Sequence, residues 1–238
     1  MVEVKIIEAP CNMETEQNKA PLVIKCIDFR TGKATRDWLQ NQGLSDGSYY
    51  LYASAGASGN PNVVENTAET KFSSVIAVDH KDCGYYKKNG DDSDGNHNNN
   101  LQHLKRSLLG QNPALKYKAH LLPVNDERHD CKATAIILGE PSIVMLTRKK
   151  LTDIGLDNDY DEIARPYSLS VNDESLWTDL EISLSLHHPA KIFLFDKDEQ
   201  RINQLLEKIK EIALHIQVEP IFFDSGCLKP LPKIDIIC

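Results

Sequence analysis

Short apolar runs alternate with helical stripes along the chain. Pro21-Leu22-Val23-Ile24-Lys25-Cys26-Ile27 reads as a buried strand. Residues 33–40 place Ala34, Trp38 and Leu39 at helical spacing, with Gly43 as a C-cap. Aromatic-rich Ser48–Tyr52 predicts a second strand. A loop of small residues follows over 53–61, then a helical stripe over 62–72. Ser74–Val78 predicts a third strand, running into Asp79-His80-Lys81-Asp82-Cys83-Gly84. The stretch 87–100 is polar and without period, which predicts a solvent loop. Helical spacing returns over 101–111, and Lys118–Val124 predicts a fourth strand. Strands alternating with helices predict an α/β fold: a mostly parallel sheet flanked by helices.

The second half repeats the order. Pro141–Leu146 echoes Pro21–Cys26, Arg165–Ser170 echoes Tyr50–Ala55, and Lys191–Asp196 echoes Ser74–Asp79, at offsets of 115–120. Residues 177–186 and 202–214 read as helices, and Val218–Phe223 as the closing strand. This predicts two tandem units, 1–125 and 126–238, related as a pseudo-dimer.

Composition adds few constraints. Hydrophobic residues make up 41% of 238 residues, enough for a sizeable core. Net charge is −8, which argues against nucleic acid or anionic membranes as partners. The charge is uneven: residues 1–125 hold 14 basic and 14 acidic side chains, residues 126–238 hold 13 and 21. No apolar run approaches the ~18 residues that span a bilayer, and no secretory signal is visible. Six cysteines spread over the chain suggest a reducing compartment, with a cytoplasmic location as the expectation.

Chemistry concentrates at predicted strand ends, where ligands bind in open α/β sheets. Cys26, His80 and Cys83 offer two thiolates and an imidazole, a three-ligand zinc set that leaves the fourth position open. Other candidates read as bland. His97 and His103 are placed in solvent, and His187-His188-Pro189 at a solvated helix terminus. His129-Asp130-Cys131 falls between the units. Asp79 could support His80 or cap a turn, and Tyr85 and Tyr86 read as packing.

Cys26-Ile27-Asp28-Phe29-Arg30, then Ala55-Gly56, then His80-Lys81-Asp82-Cys83-Gly84 together resemble the motifs of the β-class carbonic anhydrases. The resemblance covers about residues 20–125 and lies closest to a short branch with His-x-Asp-Cys-Gly-x-Tyr, here His80 to Tyr86. It implies Zn²⁺ held by Cys26, His80 and Cys83, with Asp28 and Arg30 as the dyad beside the open position. It implies reversible hydration of CO₂ by zinc-bound hydroxide, or attack on a related heterocumulene such as COS or CS₂. Backbone N–H groups of Ala55 and Gly56 would meet the developing bicarbonate oxygen. Two positions depart from the family: Ala53-Ser54 stands for the usual Arg-Asn, and Asp79 for the usual Gly. A zinc-binding pseudoenzyme, acting as a binding or regulatory module, is therefore the competing expectation. The second copy places Leu146, Lys150, Lys197 and Gln200 where Cys26, Arg30, His80 and Cys83 stand, and Asp196 keeps the place of Asp79. It would serve as a built-in partner wall, and the fused unit could pair further into a homo-oligomer.

Overall fold

The computed structural model describes residues 20–68, 72, 74–166, 173–224 and 227–230. Among them, nine strands form one sheet in the order β4-β3-β1-β2-β6-β5-β7-β8-β9. The first half contributes β1 (Leu22–Lys25), β2 (Tyr50–Ala53), β3 (Ser74–His80) and β4 (Lys116–Leu122). The second half contributes β5 (Ala133–Leu138), β6 (Tyr160–Arg165), β7 (Lys191–Asp196), β8 (Gln217–Asp224) and β9 (Cys227–Pro230). Pairing is parallel within each half from β1 to β8. It turns antiparallel where β2 meets β6, at Ala53 opposite Ala164, and again between β8 and β9. Outward from that junction, both halves run second strand, first, third, fourth.

Helices cover both faces, so the central strands are apolar on both sides. Leu22 and Ile24 face one core, Val23 the other. The first core takes residues from α2 (Pro61–Ala68), α4 (Asp94–Gln111), α6 (Glu174–His187) and α7 (Glu199–Ile212). The second takes Leu39 of α1 (Gly32–Asn41) and Ile143, Val144, Leu146 and Leu151 of α5 (Pro141–Asp153). The short α3 (Gly84–Lys88) follows β3. No helix of the described residues is long and apolar enough to cross a membrane.

Three expectations need correction. Pro141–Leu146 is not a strand but the start of α5. Pro141 sits in its first turn, where the missing N–H costs nothing, and Ile143, Val144, Thr147 and Leu151 repeat at helical spacing. The strand of that unit is β5, just before it. The expected strand 165–170 is also displaced: β6 ends at Arg165, and 167–170 lie outside the described residues. Pairing through the sheet then sets Leu138 rather than Leu146 at the place of Cys26, and Ser142 rather than Lys150 at that of Arg30. Continued one or two residues, the register carries Asp196 onto Asp79 and Lys197 onto His80 as expected, but not Gln200 onto Cys83: Cys83 is the N-cap of α3, whereas α7 is N-capped by Asp198. Third, the polar stretch is not all loop. The α4 helix starts at Asp94, N-capped by Ser93, whose hydroxyl accepts from the Asn96 N–H. His97, Leu101, Leu104 and Leu108 form its buried stripe, so His97 is core rather than solvated.

Candidate metal centre

Adjacent parallel strands β1 and β3 bring three side chains together at their C-terminal ends. Cys26 follows β1, His80 closes β3, and Cys83 precedes α3. One ligand atom from each lies within 4.8 Å of the others, and all three residues are buried. The sulfurs of Cys26 and Cys83 are 3.9 Å apart. The His80 Nδ1 donates to the Lys81 carbonyl at 2.8 Å, which leaves Nε2 as the ring atom able to take a metal ion in exchange for a proton. Among the described residues, that Nε2 is the one buried side-chain nitrogen without a hydrogen-bond partner. An orphaned imidazole nitrogen between two sulfurs is what a metal ligand presents before the ion arrives. The cluster can therefore hold a metal ion.

Charge inside the cluster is mutually supported. The Cys83 thiol bonds to Cys26 and draws its thiol well below the usual range, against burial and with help from His80. Burial works against a charged His80, yet the Cys26 thiolate and Asp28 outweigh it and raise His80 to about 9.

Asp28 and Arg30 are a buried pair, not a surface one. Asp28 caps a single 3-10 turn, Phe29–Thr31, by accepting the Arg30 N–H at 3.0 Å. The Arg30 side chain forks onto both carboxylate oxygens, Nε to Oδ1 at 3.0 Å and Nη2 to Oδ2 at 2.7 Å. Arg30 is itself held by Asp82, through its carboxylate at 2.6 Å and its carbonyl at 2.9 Å. Burial penalises the Asp28 carboxylate, but Arg30, His80 and His187 bring it down to about 2. Its Oδ2 lies 3.9 Å from His80 Nε2, beside the ligand atoms.

The Ala55-Gly56 turn does not offer the donors that its sequence suggests. The Gly56 N–H points to the Cys26 sulfur at 3.4 Å, and the Ala55 N–H donates to Asp179 at 2.8 Å. The turn orients a ligand instead. Gly56 has φ +77, and a Cβ there would meet Tyr85 Cδ1 at 2.2 Å. Gly56→Ala is expected to cost about 2 kcal/mol or more, the left-handed backbone alone accounting for ~1–2 kcal/mol. Urea unfolding checks this, and an unchanged midpoint would refute the packing argument.

The Asp79 carboxylate does not support the His80 ring, whose Nδ1 bonds the Lys81 carbonyl. It accepts from the Ser58 N–H and hydroxyl, from the Tyr86 hydroxyl and from His97 Nδ1. His97 Nε2 reaches Asp92, which accepts the Cys83 N–H at 3.1 Å. Tyr86 and His97 thus belong to a buried network behind Cys83. Cys131 is buried and points its sulfur to the Ala133 carbonyl, away from any cluster of the described residues.

The second half supplies three residues that sequence reasoning missed or dismissed. Asp179 of α6 holds the Ala55 N–H and the Ser54 hydroxyl, and is itself paired with buried Arg165 at 2.7 Å. Asp161 of β6 accepts the Phe29 N–H at 3.0 Å. His187, the last residue of α6, is buried and bonds Asp161 through Nδ1 at 2.7 Å. A helix-terminal His two residues before Pro189 carries no sequence signal of burial. The cue available was Ser183, one turn earlier on the same face, which also donates to Asp161.

Comparison with known proteins finds no matching family model, curated protein or solved structure.

Proposed function

We propose that the chain is a zinc-dependent lyase that hydrates CO₂ reversibly, built on a β-carbonic-anhydrase-like plan of two tandem units. The observation that carries this reading is the convergence of Cys26, His80 and Cys83 around an unpartnered His80 Nε2. Two sulfurs and one imidazole suit zinc among the divalent ions, and three protein ligands leave a position for chemistry. Zinc held there would supply a nucleophile from water near neutral pH.

The chain's own residues do the rest. Asp28, ionised at any working pH, accepts a hydrogen bond from the attacking oxygen and so aims its lone pair at CO₂. The Arg30 fork keeps Asp28 from swinging onto the metal. Gly56 holds the Cys26 sulfur in place. Burial of the ligands and the dyad restricts entry to a small substrate. The mirrored strand order supports the tandem plan, and Asp161, Asp179 and His187 support the second unit as a built-in partner. A reducing compartment such as the cytoplasm would keep Cys26 and Cys83 available as ligands.

One observation favours a second reading, the zinc-binding pseudoenzyme: neither N–H of the Ala55-Gly56 turn is open to a developing oxyanion. Metal analysis with a CO₂ hydration assay on wild type and Asp28→Ala separates the two. The lyase predicts one zinc per chain in both proteins, and about a hundredfold lower hydration in Asp28→Ala. Zinc without hydration in wild type across about pH 6–9 leaves the pseudoenzyme.

A further inference from the structure

His187 comes from the second half of the chain, yet its ring reaches the metal centre of the first. Both Asp161 oxygens lie within reach of Nδ1, at 2.9 and 2.7 Å. Asp161 is fixed in turn by the Ser183 hydroxyl at 2.6 Å and the Phe29 N–H at 3.0 Å. The ring stands edge-on to Phe29, with centroids 5.3 Å apart. The His187 carbonyl accepts the Cys131 N–H, which anchors the backbone. A carboxylate on Nδ1 selects the tautomer with its proton there, so Nε2 carries the lone pair. That Nε2 lies 4.0 Å from Asp28 Oδ2, just beyond a direct hydrogen bond. One water that donates to both bridges the gap, and once Nε2 carries a proton it can itself donate to Asp28.

Hydration of CO₂ releases one proton per turnover, and the site needs an acceptor for it. Both Asp28 oxygens are engaged by the Arg30 fork, Arg30 is always protonated, and both nitrogens of His80 are spoken for once a metal binds. His187 meets the need geometrically. Its side chain keeps 8% of its surface open, against 2% for His80. The charged groups facing it are Asp161 from β6, Asp28 after β1 and Cys26. Burial disfavours its charged form, but all three stabilise it.

We propose that His187, oriented by Asp161, is the proton carrier of this site, taking the proton of hydration on Nε2 and passing it to a solvent base. In the hydration direction an O–H bond of water breaks and an Nε2–H bond forms. A buffer base then removes that proton and restores the neutral ring. Dehydration runs the same steps backwards. The inference rests on the carbonic-anhydrase reading above.

The test uses the full chain loaded with zinc, as wild type, His187→Ala and His187→Gln. Gln can still donate to Asp161 but cannot carry a proton. Both variants are expected to keep zinc content and kcat/KM, and to lose kcat by about tenfold or more. Imidazole buffer should restore kcat in His187→Ala. Unchanged kcat in both variants overturns the carrier. So does a joint fall of kcat and kcat/KM that imidazole does not rescue, since that is the mark of a structural role. A separate readout needs no turnover: ¹⁵N-histidine spectra should place the proton of neutral His187 on Nδ1, and an Nε2–H tautomer overturns the proposal. Zinc-loaded wild type without hydration activity overturns the lyase reading and this inference with it. Active wild type with unaffected variants overturns this inference alone.

Discussion

On the zinc-lyase reading proposed above, replacing His80 with Gln, or Cys26 with Ser, is expected to reduce bound zinc from about one per chain to below roughly a tenth, and to abolish hydration. No fourth side chain joins the cluster of the described residues, so loss of one ligand leaves two. A two-ligand site cannot hold the ion against dialysis, whereas loss of a supporting group outside the ligands costs only ~10–100-fold in affinity. Because the ligands come from β1, β3 and the turn before α3, binding also ties these elements together. Chelation should therefore destabilise the wild type by about 4 kcal/mol at free zinc a thousandfold above Kd, and leave His80→Gln unchanged. Metal analysis after dialysis under reducing conditions, with thermal unfolding before and after chelation, checks both. Full zinc retention in either variant would mean that the ion sits elsewhere. Asp28→Ala is the control: it removes a neighbour rather than a ligand, so it should keep its zinc.

The convergence of Cys26, His80 and Cys83, and the Asp28–Arg30 pair beside them, were legible because these residues lie in short local motifs at the ends of two strands with apolar runs, β1 and β3. Their approach to one another follows from parallel pairing of adjacent strands, which the alternation of elements already implies. The second half was harder to read for a physical reason. The β6 segment, Tyr160–Arg165, carries Asp161, Glu162 and Arg165, and nothing in its polarity announces a fully buried strand. Each of those groups is met by a side chain from another element: Asp161 by the Nδ1–H of His187, Glu162 by Lys25 and Arg148, Arg165 by Asp179. Hydrophobic periodicity cannot see such pairs. The apolar run Pro141–Leu146 then drew the strand assignment to itself, although its proline and the spacing beyond it are helical. His97 and His187 share one difficulty. Both sit at helix ends in polar context, and only tertiary packing buries them. The charge asymmetry looks different once those pairs are counted. Part of the acidic surplus of residues 126–238 is interior, spent on bonds to the first half rather than on a solvated surface.

Glu162 is where that interior charge matters most to stability. It lies on β6 at the junction of the halves, with Lys25 Nζ 3.1 Å away and Arg148 bonded through Nε at 3.0 Å and Nη2 at 3.2 Å. Arg148 also bonds Asp46 and the Tyr49 hydroxyl. All three charges are buried. Burial opposes the Glu162 carboxylate, but Arg148 and Lys25 more than compensate and set it at about 2. Glu162→Gln keeps the shape, strands buried Lys25 and takes one of the two carboxylates from Arg148, for which the expected cost is roughly 3–5 kcal/mol. Lys25→Met placed in the same chain should return part of that loss, because it removes one stranded charge, while Arg148 retains Asp46. The pH dependence has a definite sign. Since the folded pKa is depressed from 4.5, the stabilisation is fully present above about pH 4.5 and is lost as pH falls through about 2. Over that window wild type should lose about 3 kcal/mol that Glu162→Gln never had, so the two unfolding curves converge in acid. Denaturant midpoints at a series of pH values measure the difference directly. Parallel curves, with the gap intact at pH 2, would show that the destabilisation comes from packing rather than from the buried charge.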